Sequence, residues 1–137
     1  MKNGIIVRKL TEMEETLRRL REHLPTSYDE FVKNWGQQKI RERSLQVLVE
    51  AMIDIGERFI ALSGGVPCAS SADVMGRLQE LGIIRTADRY IPMVRFRNFL
   101  VHQYERVDLS ILYGIATKQL VDVEAFVTEV KAHVKNH

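Results

Sequence analysis

Leu45, Leu48, Met52, Ile55, Phe59 and Leu62 recur at alternating spacings of three and four, with Val49, Ile53 and Ile60 widening the stripe. Only a helix aligns side chains at that period, so residues 37–62 are expected to form one long helix whose apolar arc needs cover along its whole length. Arg43, Gln46, Glu50, Asp54 and Glu57 fall on the remaining face. The width of the arc points to packing on more than one side, which favours a dimer beside an internal core. Ile6, Leu10, Met13, Leu17, Leu20 and Leu24 repeat the pattern over residues 5–24, where Pro25 ends the helix.

The rest of the chain reads the same way. Ser27-Tyr28-Asp29-Glu30 has the form of a capping box that opens a short turn stopped by Gly36. Ser63-Gly64-Gly65-Val66-Pro67 is a break. Ser70 or Ser71 can cap a helix to about residue 81, with Val74, Leu78 and Leu81 inward and Gly82 as its stop. Thr86 can cap a turn over 87–91, and Pro92 suits the first position of a new helix. Asp108 can cap a last helix over 109–134, with Leu112, Ile115, Val123, Phe126, Val130 and Val134 inward. No segment sustains the period-two alternation of a strand. An all-α, up-and-down bundle of about four to five main helices is expected, as a single domain over residues 1–137.

Charge and cysteine narrow the chemistry. A net charge of +2 is too small for whole-chain attraction to nucleic acid, so any RNA contact must come from a local cluster of cations. Cys68 is the only cysteine, which excludes an internal disulfide and a cysteine-based zinc site and suits a reducing compartment. The apolar run at the N-terminus is too short for a signal peptide, and no stretch approaches membrane-spanning length. A cytoplasmic protein with no metal and no cofactor is expected.

The segment Arg97-Asn98-Phe99-Leu100-Val101-His102-Gln103-Tyr104 combines the groups that can do chemistry. On a helical wheel Met93, Phe96 and Leu100 share one face, Val94 and Val101 lie a quarter-turn away, and Arg97 falls between them. Asn98 and His102, four apart, stack on one side. A guanidinium among apolar side chains demands a carboxylate or an anionic ligand, and its planar fork matches phosphate. Histidine moves protons near neutrality. Arginine with histidine, and no cysteine or carboxylate cluster, points to phosphodiester cleavage through the 2′-hydroxyl of RNA without a metal. Spacing alone fits plainer roles equally: His102 at a helix C-terminus, Tyr104 as a packed aromatic, Glu50 and Asp54 as a solvated stripe.

The same segment, continued by Glu105-Arg106-Val107-Asp108, resembles the signature of HepT-like proteins of the HEPN superfamily, an arginine and histidine separated by four residues with a tyrosine two positions on. The stretch 43–62 with Glu50 and Asp54, the Gly64-Gly65-Val66-Pro67 break, residues 78–84 and the final helix resemble that family in order. The resemblance implies a HEPN-like fold and a toxin of a toxin–antitoxin system, an endoribonuclease acting on tRNA or mRNA. It implies Arg97 and His102 as the catalytic pair, with Asn98 as polar support. Glu50 and Asp54 are candidates to line the same cleft, hydrogen-bonding Arg97 or Asn98. Homodimers that face their motif helices across a composite cleft are implied, as is an MntA-type nucleotidyltransferase antitoxin that transfers AMP to the motif tyrosine, here Tyr104. The alternative is a non-catalytic HEPN dimer that binds a nucleotidyltransferase or nucleotide.

Overall fold

The computed structural model describes residues 4–24, 27–101 and 108–136, and the side chains of all of these but 98–101 and 115–118. Seven helices and no strand occur among them: α1 (Gly4–Glu22), α2 (Tyr28–Lys33), α3 (Trp35–Leu62), α4 (Ser71–Glu80), α5 (Ile91–Val101), α6 (Leu109–Lys118) and α7 (Leu120–Asn136). The fold is an all-α bundle, as expected; the short turn after Ser27 is α2, and the last helix is divided into α6 and α7.

The central element is α3. It packs against α1, α2, α4, α5 and α6, which accounts for the width of its apolar arc without a second molecule. Leu45, Leu48, Val49, Met52, Ile53, Ile55, Phe59 and Ile60 are all buried, whereas Leu62 at the end of the stripe is 40% exposed. Along α1, Ile6, Leu10, Met13, Leu17 and Leu20 are buried; Leu24, expected to continue the row, lies past the helix end and is 40% exposed. Each buried side chain of this size contributes about 1.5–3 kcal/mol before the entropy of ordering it.

Exposed ion pairs report the direction of the helices. Arg21 of α1 pairs with Glu124 of α7, and Glu14 pairs with Lys131 at 3.1 Å. A step of seven down α1 is matched by a step of seven up α7, so the two run antiparallel. Lys9 meets Asp54 at 3.4 Å, fixing α1 antiparallel to α3 in the same way, since His23 of α1's end meets Arg41. These pairs are half in water, so they set register more than they stabilise.

Local signals fix the boundaries. Ser27 Oγ accepts from the Glu30 amide at 3.2 Å, and Ser70 Oγ from the Asp73 amide at 3.1 Å, as the capping motifs imply. Gly36 does not stop α2: Asn34 ends α2 and caps α3, accepting from the Gln37 amide at 2.9 Å, so Gly36 lies in the first turn of α3. Gly82, at φ 74°, closes α4 as a Schellman turn, with the Ile83 amide donating to the Leu78 carbonyl at 2.9 Å and the Gly82 amide to Gln79 at 3.0 Å. The last helix is not continuous. It bends at Gln119, whose carbonyl accepts from the amides of Asp122 and Val123, so that α6 follows α2 and α3 while α7 runs along α1. Gly114, Ile115 and Thr117 are poor helix formers and ease that division.

Where α3 crosses α4 the backbones approach at Gly56. A Cβ added there would lie 2.4 Å from Val74 Cγ1 and 3.3 Å from Leu78 Cδ1. Valine is stiff about χ1 and cannot turn aside. Gly56→Ala is therefore expected to destabilise the protein by about 1–3 kcal/mol, against the gain of up to about 1 kcal/mol that alanine brings to a helix. Gly76→Ala on α4, with nothing within 4 Å of the new Cβ, should show that gain alone. Urea unfolding of the two variants measures both.

Candidate functional site

The segment that carries the motif is aimed by its N-terminal end. The Ala87 amide donates to Gln79 Oε1 at 2.8 Å, and the Ala87 carbonyl accepts from Tyr90 and Ile91, forming a turn ahead of α5. Helix α5 starts at Ile91, so Pro92 is its second residue rather than its first; in the first turn its missing N–H removes no helical bond. Tyr90 is fully buried, edge-on to Phe126 of α7 with ring centroids 5.4 Å apart. Its hydroxyl donates to Glu129 Oε2, and the Arg85 amide donates to Glu129 Oε1 at 2.9 Å. One carboxylate of α7 thus holds both the loop and the root of α5.

Burial, and then the bond to Glu129, raise the Tyr90 pKa well above the usual tyrosine value. The folded state therefore keeps the phenol proton that the unfolded chain releases near pH 10. That contribution is fully present below pH 10 and is lost as pH rises above it. Tyr90→Phe should cost about 1 kcal/mol at pH 8, where Glu129 loses a donor, and should flatten the fall of stability between pH 10 and 11 relative to wild type. Denaturant unfolding across that range checks both.

Beyond Tyr90, α5 buries Met93, Val94 and Phe96, while Arg95 and Arg97 are exposed. Arg97 stands one turn from Met93, about 40° round the helix, on the arc that Tyr90, Met93 and Val94 bury. The wheel places it between apolar neighbours, yet it is exposed. Arg97 has no hydrogen bond or ion pair among the described residues. Asn98 lies in the last turns of α5, with its side chain outside the described residues. His102 and Tyr104 lie outside the described residues altogether, as does the expectation that His102 sits at a helix C-terminus.

Glu50 and Asp54 sit on α3 with other partners. Half-buried Glu50 accepts from Gln46 Nε2 at 3.4 Å, and exposed Asp54 pairs with Lys9 of α1 at 3.4 Å. Among the described residues neither forms an ion pair with Arg97. The arrangement leaves a cation of fixed charge exposed on α5, whose planar fork matches the geometry of a phosphate or a carboxylate.

Two features escaped the sequence. Glu129 gave no signal, because its partner is 39 positions away. Arg41 is the one charged side chain buried among the described residues, and its position four before Leu45 put it on the apolar stripe of α3. Among the described residues no helix is long and apolar enough to cross a membrane.

Known proteins resemble this chain in sequence and fold. The chain is 28% identical over 133 residues to a protein named mRNA nuclease HepT from Shewanella oneidensis, covering 95% of this chain and 98% of the relative. It is 24% identical over 132 residues to a tRNA nuclease HepT from Aphanizomenon flos-aquae, covering 95% and 90%. A solved structure of a tri-AMPylated HEPN toxin from Shewanella oneidensis, in complex with an MNT antitoxin, superposes with a TM-score of 0.82 at 28% identity and covers 95% of this chain and 98% of that one. Residues 13–130 match the family model described as ribonuclease HepT-like. With nearly its full length matched in sequence and in fold, this chain belongs to the ribonuclease HepT-like family.

Proposed function

We propose that the protein is the toxin of a toxin–antitoxin pair: a metal-independent endoribonuclease, acting as a homodimer of a single-domain chain in the cytoplasm and silenced by AMP transfer to Tyr104. The observation that carries this reading is Arg97, a guanidinium without a partner among the described residues, exposed on the apolar arc of α5 in a chain related to HepT nucleases over 95% of its length. A second copy laid across that arc would cover it and bring two Arg97 side chains to one cleft, which is the economy of an isologous interface.

In the reaction His102 takes the proton from a ribose 2′-hydroxyl, and the freed oxygen attacks the adjacent phosphorus. Arg97 stabilises the charge gathering on the phosphoryl oxygens. The 5′-oxygen of the next nucleotide leaves and takes up a proton, so the products are a 2′,3′-cyclic phosphate and a 5′-hydroxyl. Asn98 orients the substrate, and Glu50 and Asp54 are the α3 carboxylates that line the same cleft.

Silencing follows from charge. The Tyr104 hydroxyl attacks the α-phosphate of ATP on an MntA-type nucleotidyltransferase, forming a phosphodiester and releasing pyrophosphate. An anion attached two residues from His102 repels the substrate phosphate. Wild type incubated with such a partner and ATP is expected to gain AMP on Tyr104, read by peptide mass spectrometry, and to lose cleavage. Tyr104→Phe should keep cleaving after the same treatment. Silencing of the phenylalanine variant would overturn the assignment of Tyr104.

A further inference from the structure

Arg41 lies in the first half of α3, beneath α2, and has no exposed surface. Its Nη2 reaches the His23 carbonyl at 3.4 Å, while Nε and Nη1 have no hydrogen-bond partner. The guanidinium stacks 5.6 Å from the Phe31 ring centre, and Tyr113 of α6 packs on Phe31 and Tyr28 with centroids 5.5 and 5.3 Å apart. The surroundings are aromatic, and no carboxylate pairs with Arg41 among the described residues. A buried, unpaired cation is costly, and a neutral side chain of the same shape would hold the corner at least as well.

The cover over Arg41 is slight. Helix α2 has six residues and one buried side chain, Phe31, which with Tyr28 packs on Tyr113 of α6; the Ser27 cap and Gln38 Nε2, which donates to the carbonyls of Phe31 and Val32 at 2.9 and 3.0 Å, are among its polar ties. So short a helix does not stand alone, and little burial holds it down, so its opening is cheap beside global unfolding. Next to it Trp35 is 70% exposed, about 9 Å along the axis of α3 from Arg41, with Lys39 Nζ 5.8 Å from its ring centre. Lys39 also meets Glu42 at 3.3 Å, and Asp29 and Glu30 on α2 are the other acids of the corner. A largely exposed tryptophan, with Lys39 over its ring, and an unsatisfied guanidinium about 9 Å along the same helix offer the two contacts that single-stranded nucleic acid uses, base on ring and phosphate on cation.

We propose that the corner where α2 crosses the start of α3 is a second RNA-strand site, outside the α5 motif: as α2 lifts, Arg41 takes a backbone phosphate and the adjoining base stacks on Trp35. This rests on the nuclease reading and adds to it a place that holds the strand away from the point of cleavage.

The test uses the full chain and a single-stranded 2′-O-methyl oligonucleotide, which cannot be cut through a 2′-hydroxyl, titrated over a series of salt concentrations. Trp35 is the only tryptophan, so its fluorescence reports the corner directly. Wild type should show a change in that emission on binding. Arg41→Met should melt no lower than wild type, bind about tenfold more weakly and lose about 0.7 from the slope of log affinity against log salt, the share of one phosphate on a single strand. Arg41→Lys should keep the slope, and Trp35→Ala should weaken binding by about 5- to 150-fold, the range for one stacked base. Equal slopes for wild type and Arg41→Met, or a methionine variant that fails to fold, overturn the proposal. If wild type still cuts unmodified RNA in that case, only the second site is lost; a wild type that neither binds nor cuts overturns the nuclease reading with it.

Discussion

His102→Ala is expected to lower RNA cleavage by about 10²–10⁴-fold, the range over which a positioned acid or base accelerates a proton transfer. Melting temperature and helix content should stay at wild-type values. The core of the bundle draws on all seven helices, on α5 through Met93, Val94 and Phe96, and His102 follows the last residue of α5 in sequence. A loss of activity without loss of fold assigns the residue to chemistry. Arg97→Ala should cost about 10²–10³-fold on the same grounds, because a cation aimed at developing phosphoryl charge contributes in that range. Arg97→Lys should recover only part of it, since an ammonium cannot reproduce a planar fork. Arg97 makes no bond to a described residue, so none of these variants should disturb unfolding. A drop in stability equal to the drop in rate would mean that both residues serve the fold instead.

The second large effect lies far from the motif. Phe126→Ala should destabilise the protein by about 3–5 kcal/mol, a large share of the 5–15 kcal/mol that holds a domain of this size together. Phe126 is fully buried on α7, and Tyr90 rests edge-on against it. Truncation opens a cavity beneath the one tyrosine whose hydroxyl binds Glu129, and Glu129 also holds the Arg85 amide. The loop ahead of α5 is thereby loosened at its anchor. Cleavage should fall even at temperatures where the variant remains folded, because a shift of the root of α5 displaces Arg97 at its far end. Calorimetry gives the first number, and single-turnover cleavage of the folded fraction gives the second.

These effects divide along the line between what local spacing reveals and what it conceals. The stripes of α1 and α3 were legible because a heptad of apolar residues has one physical use, and the caps at Ser27, Ser70 and Asp108 because a side-chain oxygen at a helix start satisfies amides that have no other partner. Asp108 Oδ1 does accept from the amides of Ser110 and Ile111, at 3.0 and 3.3 Å. The division of the last helix at Gln119 was not legible, since neither proline nor a clear cap marks it; it follows from which neighbours α6 and α7 find. Nor was the lock between Tyr90 and Glu129, which depends on helices meeting across the bundle. Arg97 is the instructive case. Its angle on the helix was readable, but its exposure depends on tertiary neighbours, which no wheel contains. Arg41 is a second such case: it stands four residues before the stripe that begins at Leu45, and its burial without an anion depends on what packs over the start of α3.

The chemistry of one cut separates a metal-independent ribonuclease from every other reading. Purified wild-type protein, incubated with unmodified RNA in excess EDTA, is predicted to release fragments that end in a 2′,3′-cyclic phosphate and begin with a 5′-hydroxyl. No cleavage under chelation, or fragments that carry a 3′-hydroxyl and a 5′-phosphate, would contradict it.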